Sequence, residues 1–162
     1  MSFASIIRRW GHRPWFATVF RSLVPLDRAL GRLTRGRFVA LGIAEMPSLL
    51  LTTVGRRTGQ PRTSPLLYVP DGPVYVVIAS NWGRESHPSW STNLMANPDA
   101  AVTVDGRHIL VRAELVTGAE RERLWQLLLE IWPAYQTYVI RSGRALRVFR
   151  LVPDRRAAVR PR

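Results

Sequence analysis

From Phe38 onward the chain reads as a succession of short strands. "FVALGI", "SLLLTTV", "TSPLLYV" and "VYVVIAS" are runs of β-branched and large apolar residues, each bounded by Gly, Pro or Asp. The "PDGP" at 70–73 is a turn signal between the last two, and "DG" at 105–106 separates "AAVTV" from "HILVRAELV" as a hairpin would. "ALRVFRLV" closes the series. Two helical stretches interrupt it. "PSWSTNLMANP" is a short helix between prolines, and "GAERERLWQLLLEIW" has acids early and Leu124, Leu127, Leu128 and Ile131 along one stripe. Sequential strands with few helical crossovers predict an α+β fold, mainly an antiparallel sheet closed as a small barrel with helices outside.

Ahead of the strands, residues 1–37 form a basic N-terminal extension. It holds Arg8, Arg9, Arg13, Arg21, Arg28, Arg32, Arg35 and Arg37 against one acid, Asp27. Trp15, Phe16, Val19, Phe20 and Leu23 recur at helical spacing after Pro14, and "PLDRALGRL" reads as a second short helix. Two roles fit such helices: packing on the domain, or laying a basic amphipathic face on an anionic membrane surface. The domain itself is expected at 38–153, and 154–162 is expected to be a basic, disordered tail.

The net charge is +13, and all 24 basic residues are arginine. Arginine grips phosphate or carboxylate with a two-bond fork, so the excess favours polyanions. No RNA-recognition motif or helix-turn-helix accompanies it, so nucleic acid is not an expected partner. The absence of cysteine removes disulfides, thiolate nucleophiles and cysteine metal sites. His12, His87 and His108 lack metal-ligand spacing. There is no Gly-x-Ser-x-Gly elbow or paired-carboxylate signature, and "GRRTG" has neither the Walker nor the dinucleotide glycine spacing. An enzyme built from these residues would leave the hard chemistry to a bound cofactor. With no apolar run long enough for a signal core or a membrane span, a cytoplasmic protein is expected, with peripheral contact at the inner membrane face as the alternative.

The loop in "TTVGRRTGQPRTSPL" holds more charge than a turn needs. Gly55 and Gly59 let the backbone turn tightly and expose N–H groups, while Arg56, Arg57 and Arg62 supply cationic forks. A solvated basic hairpin or an anion grip both fit.

Three ordered stretches, "LLLTTVGRRTGQPRTSPLLYV", "VVIASNWGRESHPSWSTNLMANP" and "IWPAYQTYV", resemble the deazaflavin-dependent nitroreductase family, split β-barrel proteins that use coenzyme F420. The similarity runs from about Ser48 to Val152, and "PLDRALGRLTRGR" is similar to the N-terminal extension of many members. The resemblance implies that Arg57 and Arg62, with Arg56, hold the phosphate end of F420. It places Ser80, Asn81 and Trp82 beside the deazaflavin, gives Trp90 and Asn93 a part in holding the cofactor, and packs Pro65, Leu66 and Leu67 under its ring or tail. Many members have an aromatic where this chain has Leu67. Tyr135 and Tyr138 match a pocket-bordering tyrosine cluster as candidate proton donors, and Trp132 replaces a third tyrosine on the substrate side. For Trp90 the barrel core is the competing reading, and for the aromatic group a stripe that closes the barrel. The implied activity is F420H2-dependent reduction of a quinone-like, nitroaromatic or activated-alkene acceptor. An FMN-type split barrel, or a carrier that binds F420 without turnover, are the alternatives.

Overall fold

The computed structural model describes residues 47–154. The N-terminal helices, the "FVALGI" run and the tail beyond Asp154 lie outside the described residues. The described residues form seven strands and three α-helices in this order: β1 (Ser48–Val54), β2 (Pro61–Leu67), β3 (Val69–Asp71), β4 (Val74–Ile78), α1 (Ser89–Ala96), β5 (Asp99–Val104), β6 (Arg107–Leu115), α2 (Gly118–Ile131), α3 (Ala134–Ser142) and β7 (Val148–Pro153). They form one antiparallel sheet in the order β2-β1-β5-β6-β7-β4-β3.

The expected single strand "TSPLLYV" is broken at Tyr68. Its first part pairs with β1 and its second with β4, so one bent segment supplies both edges of the curled sheet. The Tyr68 N–H leaves the ladder and donates to Pro47 O at 3.0 Å, and the ring meets Tyr75 edge-on at 5.3 Å. Pro61, Pro65 and Pro70 all fall in this segment. Proline cannot donate to a ladder, which suits it to an edge. The β5–β6 hairpin turns through Asp105 (φ 49°) and Gly106 (φ 77°), the two left-handed residues that a tight hairpin needs.

Period-2 alternation sorts the apolar residues into two cores. Val77, Ala79, Phe149 and Leu151 face the barrel interior with Leu49, Leu51, Val102 and Val111, where Trp90 and Leu94 of α1 also pack. Val76, Ile78 and Val148 face the other way, against Leu124 and Leu128 of α2 and Tyr135 and Tyr138 of α3. β4 and β7 are therefore covered on both faces. The aromatic stretch at 132–138 packs in the helix-side core. It enters α3, which Pro133 precedes and Gly143 ends in the left-handed conformation.

Arg123 fastens α2 to β3, bonding Asp71 Oδ2 at 2.7 Å and Oδ1 at 3.2 Å, and Glu120 Oε1 at 2.7 Å. These bonds hold both carboxylates below their ordinary range. Lowered folded values mean that the contribution is present above about pH 4 and is lost as pH falls through them. Exposed pairs contribute little. Arg123→Gln should therefore flatten the acid side of the thermal stability profile and move Tm at pH 7 by a few degrees at most. An unchanged acid limb would show that other carboxylates dominate it.

Candidate functional site

The β1–β2 hairpin holds its arginines on a tightly closed loop. Gly55 N–H donates to Gln60 O at 2.8 Å, and Gly59 N–H, at φ 67°, donates to Gly55 O at 2.7 Å. A Cβ on Gly55 would lie 3.0 Å from both Gln60 O and Thr58 Oγ1, so only glycine fits without displacement. Arg56, Arg57 and Arg62 are exposed. The ion pairs among the described residues engage Arg112, Arg121, Arg123 and Arg150, and none of these three. Three cations without an ion-pair partner among the described residues, carried on a tightly closed turn, have the chemistry to hold an anion with several charges.

Asn93 sits behind this loop and is 4% exposed. Its Oδ1 accepts the Arg56 N–H at 3.2 Å, and its Nδ2 donates to Thr53 Oγ1 at 3.1 Å. The buried amide thus finds its partners within the protein and braces the arginine loop against α1.

The chain enters α1 from the second loop. After β4, Ser80 leads into a 3-10 turn, Asn81–Gly83, whose residues are all left-handed: Asn81 at φ 47°, Trp82 at φ 57° and Gly83 at φ 75°. The two non-glycine residues cost about 1–3 kcal/mol each, so the surroundings must enforce them. Gly83 is pressed on α3, where a Cβ would meet Tyr138 Cδ1 at 3.1 Å and Tyr138 Cα at 3.2 Å. Asn81 Nδ2 donates to Ser86 O at 2.8 Å. The remaining support is Arg144, which follows α3. Its Nε donates to Arg84 O at 3.0 Å, and its Nη groups reach Ala79 O at 3.2 Å, Ser80 O at 3.1 Å, Ser86 O at 3.2 Å and His87 Nδ1 at 3.0 Å. Burial, then Arg147 and Arg144, push the His87 pKa down, so its imidazole is neutral and accepts. Sequence reasoning missed Arg144. It lies about 60 residues from its acceptors, nearly all backbone carbonyls, which leave no mark in a sequence.

The remaining sequence candidates divide by burial. Pro65, Leu66 and Leu67 are half-buried on β2, Leu66 against the barrel core and Leu67 against the helix-side core. Trp82 is half-buried against the helix-side core. Trp90, at 6% exposure, lies inside the barrel with its ring edge-on to Phe149 at 5.8 Å. Tyr135 and Tyr138 are 5% and 1% exposed, edge to face at 6.2 Å, in the core under α2 and α3. Burial raises the pKa of both phenols, and the buried Trp132 hydrogen-bonds to Tyr138. The structure therefore brings the arginine hairpin and the Ser80–Trp82 loop to opposite ends of one segment through α1. It sets the aromatic group behind the second loop, within a core. Among the described residues no group of His, Asp or Glu is arranged to hold a metal.

Residues 27–153 match the model of the F420H(2)-dependent quinone reductase family. The chain belongs to that family. An F420H(2)-dependent quinone reductase of Mycobacterium tuberculosis is 37% identical over 145 residues, covering 88% of this chain and 95% of the relative. A shorter relative from the same organism, also named for quinone reduction, is 32% identical over 67% of this chain and 91% of its own length. The solved structure of an F420-H2 dependent reductase superposes with a TM-score of 0.60 at 35% identity, covering 65% of this chain and 93% of that one. The split-barrel fold, the F420 cofactor and the oxidoreductase class expected from the sequence all stand. The family's name specifies a quinone, so the nitroaromatic acceptor is only loosely related to it. No helix of the described residues is long and apolar enough to cross a membrane.

Proposed function

We propose that this quinone reductase family member holds the anionic end of F420 on the β1–β2 hairpin and the deazaflavin ring beside Ser80, Asn81 and Trp82. One observation carries the reading. The three arginines, which have no carboxylate partner among the described residues, sit on a loop whose backbone is held by Asn93, on the helix that continues from the Ser80–Trp82 loop. The residues fit the group: F420 carries a phosphodiester and glutamate carboxylates in a row, and charge-assisted contacts with arginine forks suit each. When bound, F420H2 supplies the hydride and proton that convert a quinone to a hydroquinone.

The protein's own part is to bind, orient and exclude water. The arginine hairpin fixes one end, the strained loop offers a rigid edge to the ring, and Pro65, Leu66, Leu67 and Trp82 supply apolar cover. Purified protein mixed anaerobically with F420H2 and menadione should regenerate the absorbance of oxidised F420 at a rate proportional to enzyme. Binding of F420 without this oxidation would instead make the protein a carrier.

Tyr135 and Tyr138 can be tested as proton donors. Buried phenols with raised pKa values are weak acids, so Tyr135→Phe and Tyr138→Phe should each leave turnover within about 3-fold. A general acid would contribute on the order of 10²-fold, and a loss of that size in either variant would assign that tyrosine the donor role. Tyr138→Phe should also cost about 1–3 kcal/mol in stability, because Trp132 loses its acceptor.

Contact with an anionic membrane is a property we assign to the ends of the chain. Twelve of the 24 arginines, but only two of the eleven acids, lie outside residues 47–154. Deleting residues 1–37 should release the protein from vesicles containing anionic lipid. Unchanged binding would move the contact to the rest of the chain.

A further inference from the structure

We infer that Arg144 is a positioning residue, whose guanidinium holds the Ser80–Trp82 loop in the shape that receives the deazaflavin. The inference rests on the proposed placement of the ring beside that loop. A guanidinium has five N–H donors in a fixed fork, and Arg144 meets five acceptors: the carbonyls of Ala79, Ser80, Arg84 and Ser86, and Nδ1 of His87. Every donor has an acceptor, and the acceptors span both ends of the loop. Between them lie the three left-handed residues, which would otherwise relax. Arg147, close enough to bear on His87, accepts the Ala79 N–H on its carbonyl at 2.8 Å, while its Nη1 is buried without a hydrogen-bond partner among the described residues. A lysine has three donors at one point and cannot serve acceptors spread around a plane. Four of the five contacts of Arg144 are to backbone carbonyls, so it sets where Ser80 and Asn81 stand largely apart from the side chains the loop carries.

Arg144→Ala should weaken F420 binding at least 10-fold by fluorescence titration. In the protein without cofactor, the Gly83 and Arg84 amides, bonded to Ser80 O and Asn81 O, should exchange faster while those of β1, β5 and β6 keep their protection. Arg144→Lys should behave like Arg144→Ala, and millimolar ethylguanidinium should restore affinity to the alanine variant. If Arg144→Ala fails to fold, Arg144→Lys decides by the same titration and exchange. Wild-type affinity and wild-type exchange at Gly83 and Arg84 in the folded variant overturn the inference. Loss of affinity with neither faster exchange at those amides nor rescue also overturns it, since the loop was then not what Arg144 held. The F420 reading fails separately, if the wild-type protein does not bind F420.

Discussion

Replacing Arg57 and Arg62 together by alanine is expected to weaken F420 binding by roughly 10²- to 10⁴-fold while leaving the fold intact. Each charge-assisted contact contributes about 1.5–3 kcal/mol, which is roughly 10- to 100-fold in affinity for each arginine. Both side chains are exposed and have no ion-pair partner within the described residues, so their removal leaves no buried charge behind. Stability should change by no more than about 0.5 kcal/mol. An F420 fragment lacking the phosphate and glutamates should lose much less, because its ring does not reach the hairpin. Salt should weaken the full cofactor more than the fragment, since exposed contacts are screened. Fluorescence titration of both ligands at low and high salt separates these terms. If the double variant binds F420 unchanged, the hairpin is a solvated turn and the anion grip is wrong. Tighter binding of FMN than of F420 by the wild type would reject the cofactor assignment itself.

The second large effect concerns Trp90. Its indole lies in the barrel interior against Phe149, Leu94 and their neighbours, so Trp90→Ala should cost about 3–5 kcal/mol. That is a large part of the whole stability of a domain this size. Trp90→Phe keeps most of the apolar volume and should keep F420 affinity within about 3-fold. Urea unfolding measures the first and titration the second. A 10-fold loss of F420 affinity in Trp90→Phe, at unchanged stability, would put the indole against the cofactor. The exposed arginines and this buried tryptophan should therefore fail in opposite ways, one through binding and the other through folding.

What the amino-acid sequence determined by itself was the strand series and its turns, because alternation and turn chemistry are local. "SLLLTTV" is β1 as read, "AAVTV" and "HILVRAELV" pair across Asp105 and Gly106, and α2 follows its leucine stripe. The arginine loop was legible for the same reason, since charge excess on a glycine turn needs no partner to be seen. The tertiary structure decided what depended on distant partners. It bent one expected strand at Tyr68, because the two halves bond to opposite ends of the sheet. It buried Tyr135 and Tyr138 together on one face of a helix, because residues three apart share a helix face. The bracing bonds of Asn93 could not be read from the sequence, since their donor, the Arg56 N–H, and their acceptor, Thr53 Oγ1, lie 37 and 40 residues away. Arg144 was invisible until the loop of residues 79–87 folded around it, because backbone carbonyls belong to every residue and only folding gathers them about one guanidinium.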